Sequence, residues 1–183
     1  MSGMTFAFAC RAGLAGLALA LAVPAAAPAA PAGPTCLDAT AANLPLRNRA
    51  NGIRYEITAV CWSPSVGGTK EYTTPTRAVK GQFLQVTMRV ENTSNQPVMW
   101  LPQNTVLIDD DRNVYPFSTD AAAALMMEES SNAPDMFSFT LQPGLVKTMV
   151  LPFDVPPSVR RFKFYLTEAD AGKRSGGAAF ELP

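Results

Sequence analysis

The sequence has no histidine, only three cysteines and no excess of either charge: 15 Lys and Arg stand against 15 Asp and Glu in 183 residues. Each shortage excludes something. Without histidine, the commonest general base at neutral pH and the commonest transition-metal ligand are gone. Ser-His-Asp and Cys-His nucleophile pairs and the H-E-x-x-H zinc helix are excluded by composition. Balanced charge with no Lys/Arg run leaves no electrostatic footprint for nucleic acid. The longest apolar run is about 12 residues, short of the roughly 20 that cross a bilayer as a helix. No cofactor motif is present, so none is expected, and the chain reads as a non-enzyme.

What is there divides into three segments. Residues 1–29 read as a cleaved export signal: Arg11, the apolar block Ala12–Val23, the breaker Pro24, then small residues with alanine spacing suited to cleavage. Residues 30–51 form a Pro/Ala/Asn-rich leader with little periodicity, read as loop. Residues 52–183 carry the folded domain. Removing the signal takes one base and no acid, which leaves a slightly acidic, exported, secreted or periplasmic protein with no later membrane span. It also removes Cys10, and in an oxidising compartment the remaining Cys36 and Cys61 are expected to pair.

The mature chain alternates with a period of two. In Ile53–Trp62, strict alternation sends Ile53, Tyr55, Ile57, Ala59 and Cys61 inward and Trp62 away from the core. In Phe83–Glu91, Leu84, Val86, Met88 and Val90 face in and Gln85, Thr87, Arg89 and Glu91 face out; Asn92–Asn95 then supplies a turn. Further short runs follow at 98–101, 105–108, 114–115, 137–141, 145–153, 159–167 and 178–182. One helix is expected over Asp120–Glu129, with Asp120 as its cap. Ser63–Lys80 reads as a long loop with an edge strand near Glu71–Thr74. Strands with turn signals about every ten residues predict an all-β, immunoglobulin-like antiparallel sandwich of about seven to nine strands with one short inserted helix.

An ordered set of motifs then resembles a known family. Gly81-Gln-Phe-Leu-Gln-Val-Thr-Met-Arg-Val-Glu-Asn92 is followed by Leu107-Ile-Asp-Asp-Asp-Arg-Asn-Val-Tyr115, by Pro143-Gly144 and by Phe153-Asp-Val-Pro156. This is similar to the bacterial secreted telokin-like, immunoglobulin-like family that includes the immunoprotective extracellular proteins. The family is largely of unknown function. The resemblance spans about residues 53–167 and implies the sandwich fold, with no catalytic residues to carry over. Where the family tends to carry Gly in its hairpin, this chain has Arg112-Asn113, with Asn113 able to take the left-handed turn.

Chemistry-bearing candidates are few. Asp109, Asp110 and Asp111 offer carboxylates to a Ca²⁺ ion, although their spacing is not that of an EF-hand. Met126, Met127 and Met136 offer soft thioethers to Cu(I), without the histidine that usually accompanies them. Glu128 or Glu129 near Asp135 is the one acid/base pairing, and Trp62 with Trp100 the one aromatic face for a sugar. The expected function is non-enzymatic: a protein-interaction or envelope-binding module that recognises its partner by strand addition at an edge (71–74 or 145–153) or through the long loops 63–80 and 116–136. The alternatives are a Ca- or Cu-binding secreted protein and a pilus-type structural subunit.

Overall fold

The computed structural model describes residues 34–39, 42–128, 138–166 and 178–182. The expected signal, residues 1–29, lies outside them, as do Glu129, Asp135 and Met136. In chain order the elements are β1 (Thr35–Cys36), β2 (Leu46–Ala50), β3 (Ile53–Ser63), β4 (Ser65–Val66), β5 (Thr76–Arg77), β6 (Gln82–Asn92) and β7 (Val98–Trp100). There follow β8 (Thr105–Asp109), β9 (Val114–Pro116), α1 (Thr119–Glu128), β10 (Phe139–Leu141), β11 (Val146–Val155), β12 (Phe162–Leu166) and β13 (Ala179–Leu182). The all-β sandwich with one inserted helix is what forms among the described residues; strands of only two or three residues (β1, β4, β5, β7, β9 and β10) raise the number above that expected.

Two antiparallel sheets make the body. In the first, β6 lies between β3 and β11, and the far edge of β3 carries β2 along its first half and β1 at its end. The second runs β13-β12-β8-β9. Between them lie the inward residues of both: Tyr55, Leu84, Val86, Met88 and Phe153 against Leu107, Phe162, Phe164 and Phe180. Phe153 meets Phe117 and Phe164 edge-on, an arrangement worth about 0.5–1.5 kcal/mol per pair beyond burial. The inward set read from β6, Leu84, Val86, Met88 and Val90, is buried, and Phe83 and Asn92 are buried as well.

In β3 the alternation breaks. Ile57 pairs with Met88 but Ala59 pairs with Thr87, so Thr58 is an extra residue, a β-bulge. A one-residue insertion exchanges the faces of everything after it. Val60 is therefore buried and Trp62 packs against the core, while Ala59 and Cys61 turn outward, the reverse of strict alternation. Cys61 still pairs with Cys36, its neighbour in the β1–β3 register, so the disulfide lies on the outer face of the sheet.

The leader is also more ordered than its composition indicates, because β1 and β2 both belong to the first sheet. The signal for β2 is Asn51-Gly52: both residues take positive φ, 46° and 78°, the two-residue turn that suits a hairpin.

At one end of the outer face α1 and the β4–β5 pair cover the sheet. Phe83, Val66 and Ala121 are buried there with Ala78, Ala124 and Leu125 around them, a second small core. The cap of α1 is Ser118, not Asp120: its Oγ accepts from Ala121 N–H at 3.3 Å and its carbonyl from Ala122 N–H at 3.0 Å. Asp120 sits instead in the first turn, where a negative charge suits the helix dipole.

Candidate functional site

The long loop between β3 and β6 is bound to α1 at two levels. At the helix middle, a Cβ on Gly67 would lie 3.1 Å from the Ala124 side chain, so the loop backbone approaches as glycine allows. At the helix end, the Glu128 carboxylate accepts from the Thr69 amide at 3.0 Å, from the Thr69 hydroxyl and from the Thr73 hydroxyl at 2.7 Å. These bonds to its charged form hold the Glu128 carboxyl down at about 2. Lys70 Nζ donates to the Met127 carbonyl at 2.9 Å, which places a cation on the negative end of the helix.

What this lock holds is a turn. Thr73 N–H donates to the Lys70 carbonyl at 3.1 Å, and Tyr72, inside the turn, is 92% exposed. Met127, next to Glu128, is exposed as well. The geometry thus presents a large aromatic side chain to solvent from a backbone fixed by four hydrogen bonds to one helix end. Glu71–Thr74, expected as an edge strand, is this turn; the strand pairing falls later, at β5 with β4.

The three adjacent aspartates do different things. Asp109 is buried, and its carboxylate accepts from Asn113 N–H at 2.8 Å, Asn113 Nδ2 at 2.9 Å and the Tyr115 hydroxyl at 2.8 Å. Desolvation pushes its pKa up, but the bonds from Asn113 and Tyr115 prevail and hold it low. Burial, then the Asp109 charge, pushes the Tyr115 phenol up to about 12. Asp109 is thus the brace of the β8–β9 hairpin, and Arg112 rather than Asn113 takes the left-handed position, at φ 66°. Asp110 and Asp111 are exposed and share an open groove of about 370 Å³ with Arg160 and Arg161, whose charges oppose a cation. A neighbouring groove of about 680 Å³ sets Asp110 and Glu181 among Arg161 and Lys163. Among the described residues, no group of three or more acidic or cysteine side chains is arranged to hold a metal ion.

The aromatic candidates face the wrong way for a sugar. Trp100 is buried against Phe139, and Trp62 is turned inward by the bulge. Met126 and Met127 are consecutive on α1.

The second expected edge exists. β11 ends the first sheet, and its pairing through Asn92 N–H to the Leu145 carbonyl directs the backbone groups of Val146, Thr148, Val150 and Pro152 outward. Ser118 N–H uses the Pro152 carbonyl, so the later half of that edge is partly capped, and Pro152 has no donor to leave unpaired. Asn92 itself is wholly buried: Nδ2 donates to the Gln96 and Leu141 carbonyls, and Oδ1 accepts from Ser94. Its role as a tie between β6, β10 and the following turn is carried by the turn signal that begins at that residue.

No protein-family model and no curated protein matches the chain. Solved structures do. A conserved hypothetical protein of Bacillus anthracis is similar over 82% of this chain and 97% of its own, at 16% identity and a TM-score of 0.57. The yjhA protein of Bacillus subtilis is similar over 76% of this chain and 98% of its own, at 14% identity and 0.51. A candidate lipoprotein of Bacillus subtilis, ycdA, is similar over 74% of this chain and 38% of its own, at 14% identity and 0.52. At such identities what is shared is the fold, that of bacterial β-sandwich proteins of unknown function. No helix among the described residues is long and apolar enough to cross a membrane.

Proposed function

We propose that this chain is an exported, non-enzymatic immunoglobulin-like domain of the telokin-like kind that binds a protein partner at the cell envelope through the turn bearing Tyr72. The observation that carries the reading is the lock itself. A tyrosine 92% exposed on a turn held by Glu128, Thr69, Thr73 and Lys70 is an anchor whose backbone is ordered before binding, so that only the side chain's own freedom is lost on contact. An envelope location draws support from the leading apolar segment, the disulfide and a similar fold in a candidate lipoprotein.

The non-enzymatic reading draws support from the lack of histidine and from the engagement of Glu56, Asp109 and Glu128 in ion pairs and hydrogen bonds that hold their carboxyls in the charged form. A pilus-type subunit is less favoured because β13 already occupies the edge beside β12 that a donated strand would fill. The Ca²⁺ alternative would rest on Asp110 and Asp111, since Asp109 already accepts three hydrogen bonds, and the Cu(I) alternative, among the described residues, on Met126 and Met127.

The test is capture from envelope extracts with the tagged chain and three variants. Tyr72→Ala is expected to lose the partner and Glu128→Gln to weaken it. Val114→Ala, which trims a 55% exposed apolar side chain on the hairpin, is expected to keep it. Equal capture by all three, or thermal stabilisation by Ca²⁺ or Cu(I) in the absence of any partner, would overturn the reading in favour of another surface or of metal binding.

A further inference from the structure

The outer face of the first sheet carries more positive charge than its own ion pairs use. In the register, Arg47, Glu56, Arg89 and Thr148 form one row across β2, β3, β6 and β11. Arg49, Arg54, Glu91 and Val146 form the next. Signs alternate in the first row, and Glu56 bridges Arg47 at 2.8 Å and Arg89 at 3.2 Å. The second row sets Arg49 directly opposite Arg54. Like charges so placed destabilise a sheet. Arg54 is paired with Glu91 at 2.8 Å, but the Arg49 guanidinium has no partner among the described residues.

Exposure sorts by sign as well. Arg47, Arg54 and Arg89 keep 66%, 47% and 41% of their side chains in solvent, while Glu56 and Glu91 keep 13% and 21%. Solvent therefore meets guanidinium, with carboxylate sunk beneath it. These two rows hold four arginines, no lysine and two glutamates, an excess of two positive charges.

We propose that this face docks onto an anionic phospholipid surface, with Arg49 and Arg54 sharing a headgroup phosphate. A phosphate between them supplies the negative charge that the second row lacks and relieves the repulsion. Guanidinium is the group whose planar fork matches phosphate oxygens, and every cation of both rows is arginine. The arginine array spans three strands, about 10 Å at the usual strand spacing. It is an open surface that addresses several headgroups together, rather than a pocket for one free anion. The attachment is electrostatic and reversible, since a small excess of charge near a negative surface gives modest, salt-screened attraction. It involves a different surface from Tyr72 and stands or falls separately.

The test is co-sedimentation of residues 30–183, which retain every described residue but not the apolar run 12–23 that would itself enter vesicles, with folding checked by circular dichroism. Vesicles of phosphatidylcholine are compared with vesicles containing about 30% phosphatidylglycerol. Partitioning is expected to be about tenfold stronger on the anionic vesicles at low salt and to vanish near 1 M salt, where screening is complete within ~3 Å. The double variant Arg49→Gln, Arg54→Gln is expected to lose that preference. The charge-matched Arg160→Gln, Arg161→Gln, on the β11–β12 loop, is expected to keep it. Without vesicles, Arg49→Gln alone is expected to melt at the same or a higher temperature, because it removes a repulsion. Equal partitioning on both vesicle types, equal loss in the charge-matched variant, or full competition by inorganic phosphate would overturn the proposal. So would a lowered melting temperature for Arg49→Gln.

Discussion

The outer face of the first sheet is built in two ways along the same strands. At the start of β6 the face is covered: Phe83 is buried beneath α1 and the β4–β5 pair, and Glu128 ties the helix end to the Tyr72 turn. Toward the end of β6 the face is bare, and its positions hold Arg89, Glu91 and their cross-strand neighbours on β2 and β3. The covered half draws on burial and on hydrogen bonds within the molecule. The bare half draws on ion pairs that water screens. Stability should therefore respond strongly to change in one half and weakly in the other, while both remain available to partners.

The largest effect should come from the covered half. Phe83→Ala, at a side chain 2% exposed, is expected to cost about 3–5 kcal/mol and to release α1 from the sheet. Urea denaturation measures the first, and faster amide exchange through 119–128 the second. A loss below about 1 kcal/mol would mean the small core is not a core. Replacing Cys36 and Cys61 together by Ala is expected to come next, at about 3.5 kcal/mol for opening a loop of 25 residues' separation. Denaturation with and without reductant checks it, and the double variant should be insensitive to reductant.

Acid should distinguish the halves more subtly. Glu128, Asp109 and Glu56 are all held below the usual carboxylate range in the folded state. Their contribution is present above the unfolded pKa values near 4, and is lost as pH falls through the folded values, which for Glu128 lie at about 2. Glu128→Gln should flatten the melting-temperature profile between about pH 4.5 and 2 and expose 69–73 to proteolysis. A profile unchanged from the native one would contradict the lock. At the other extreme, the raised Tyr115 phenol predicts stability lost as pH rises from about 10 toward 12, absent in Tyr115→Phe. The smallest effect belongs to the bare half: Arg47→Gln should change stability by less than about 1 kcal/mol, since Arg47 is mostly in solvent and Glu56 keeps Arg89 as a partner.

The same division explains how much was legible in the sequence. Where one face meets water, as along Leu84–Val90, alternation names every buried residue. Where both faces are covered it cannot, and the visible trace is an interruption: Phe83-Leu84 in β6 and Leu151-Pro152-Phe153 in β11 are consecutive buried residues beside α1 and the Phe117–Ser118 segment. The bulge at Thr58 was not legible, because an inserted residue leaves no compositional mark and the run Ile53–Trp62 alternates plausibly in either phase. It reversed the placement of Cys61 and Trp62. The Glu128 lock was not legible either, since it joins Thr69 and Thr73 to a residue more than 50 positions away. The acidic hairpin was visible as a cluster of carboxylates, but which carboxylate turns inward depends on Tyr115, a partner six residues on.

The proposed function depends most on Tyr72 being a contact rather than an idle exposed side chain. Replacing it with a photo-crosslinking residue, Tyr72→benzoylphenylalanine, in cells that make the native protein asks that question at the position itself. The account predicts one discrete cross-linked adduct, weakened by Glu128→Gln and absent when the same group replaces Val114. Adducts no stronger at position 72 than at position 114 would contradict it.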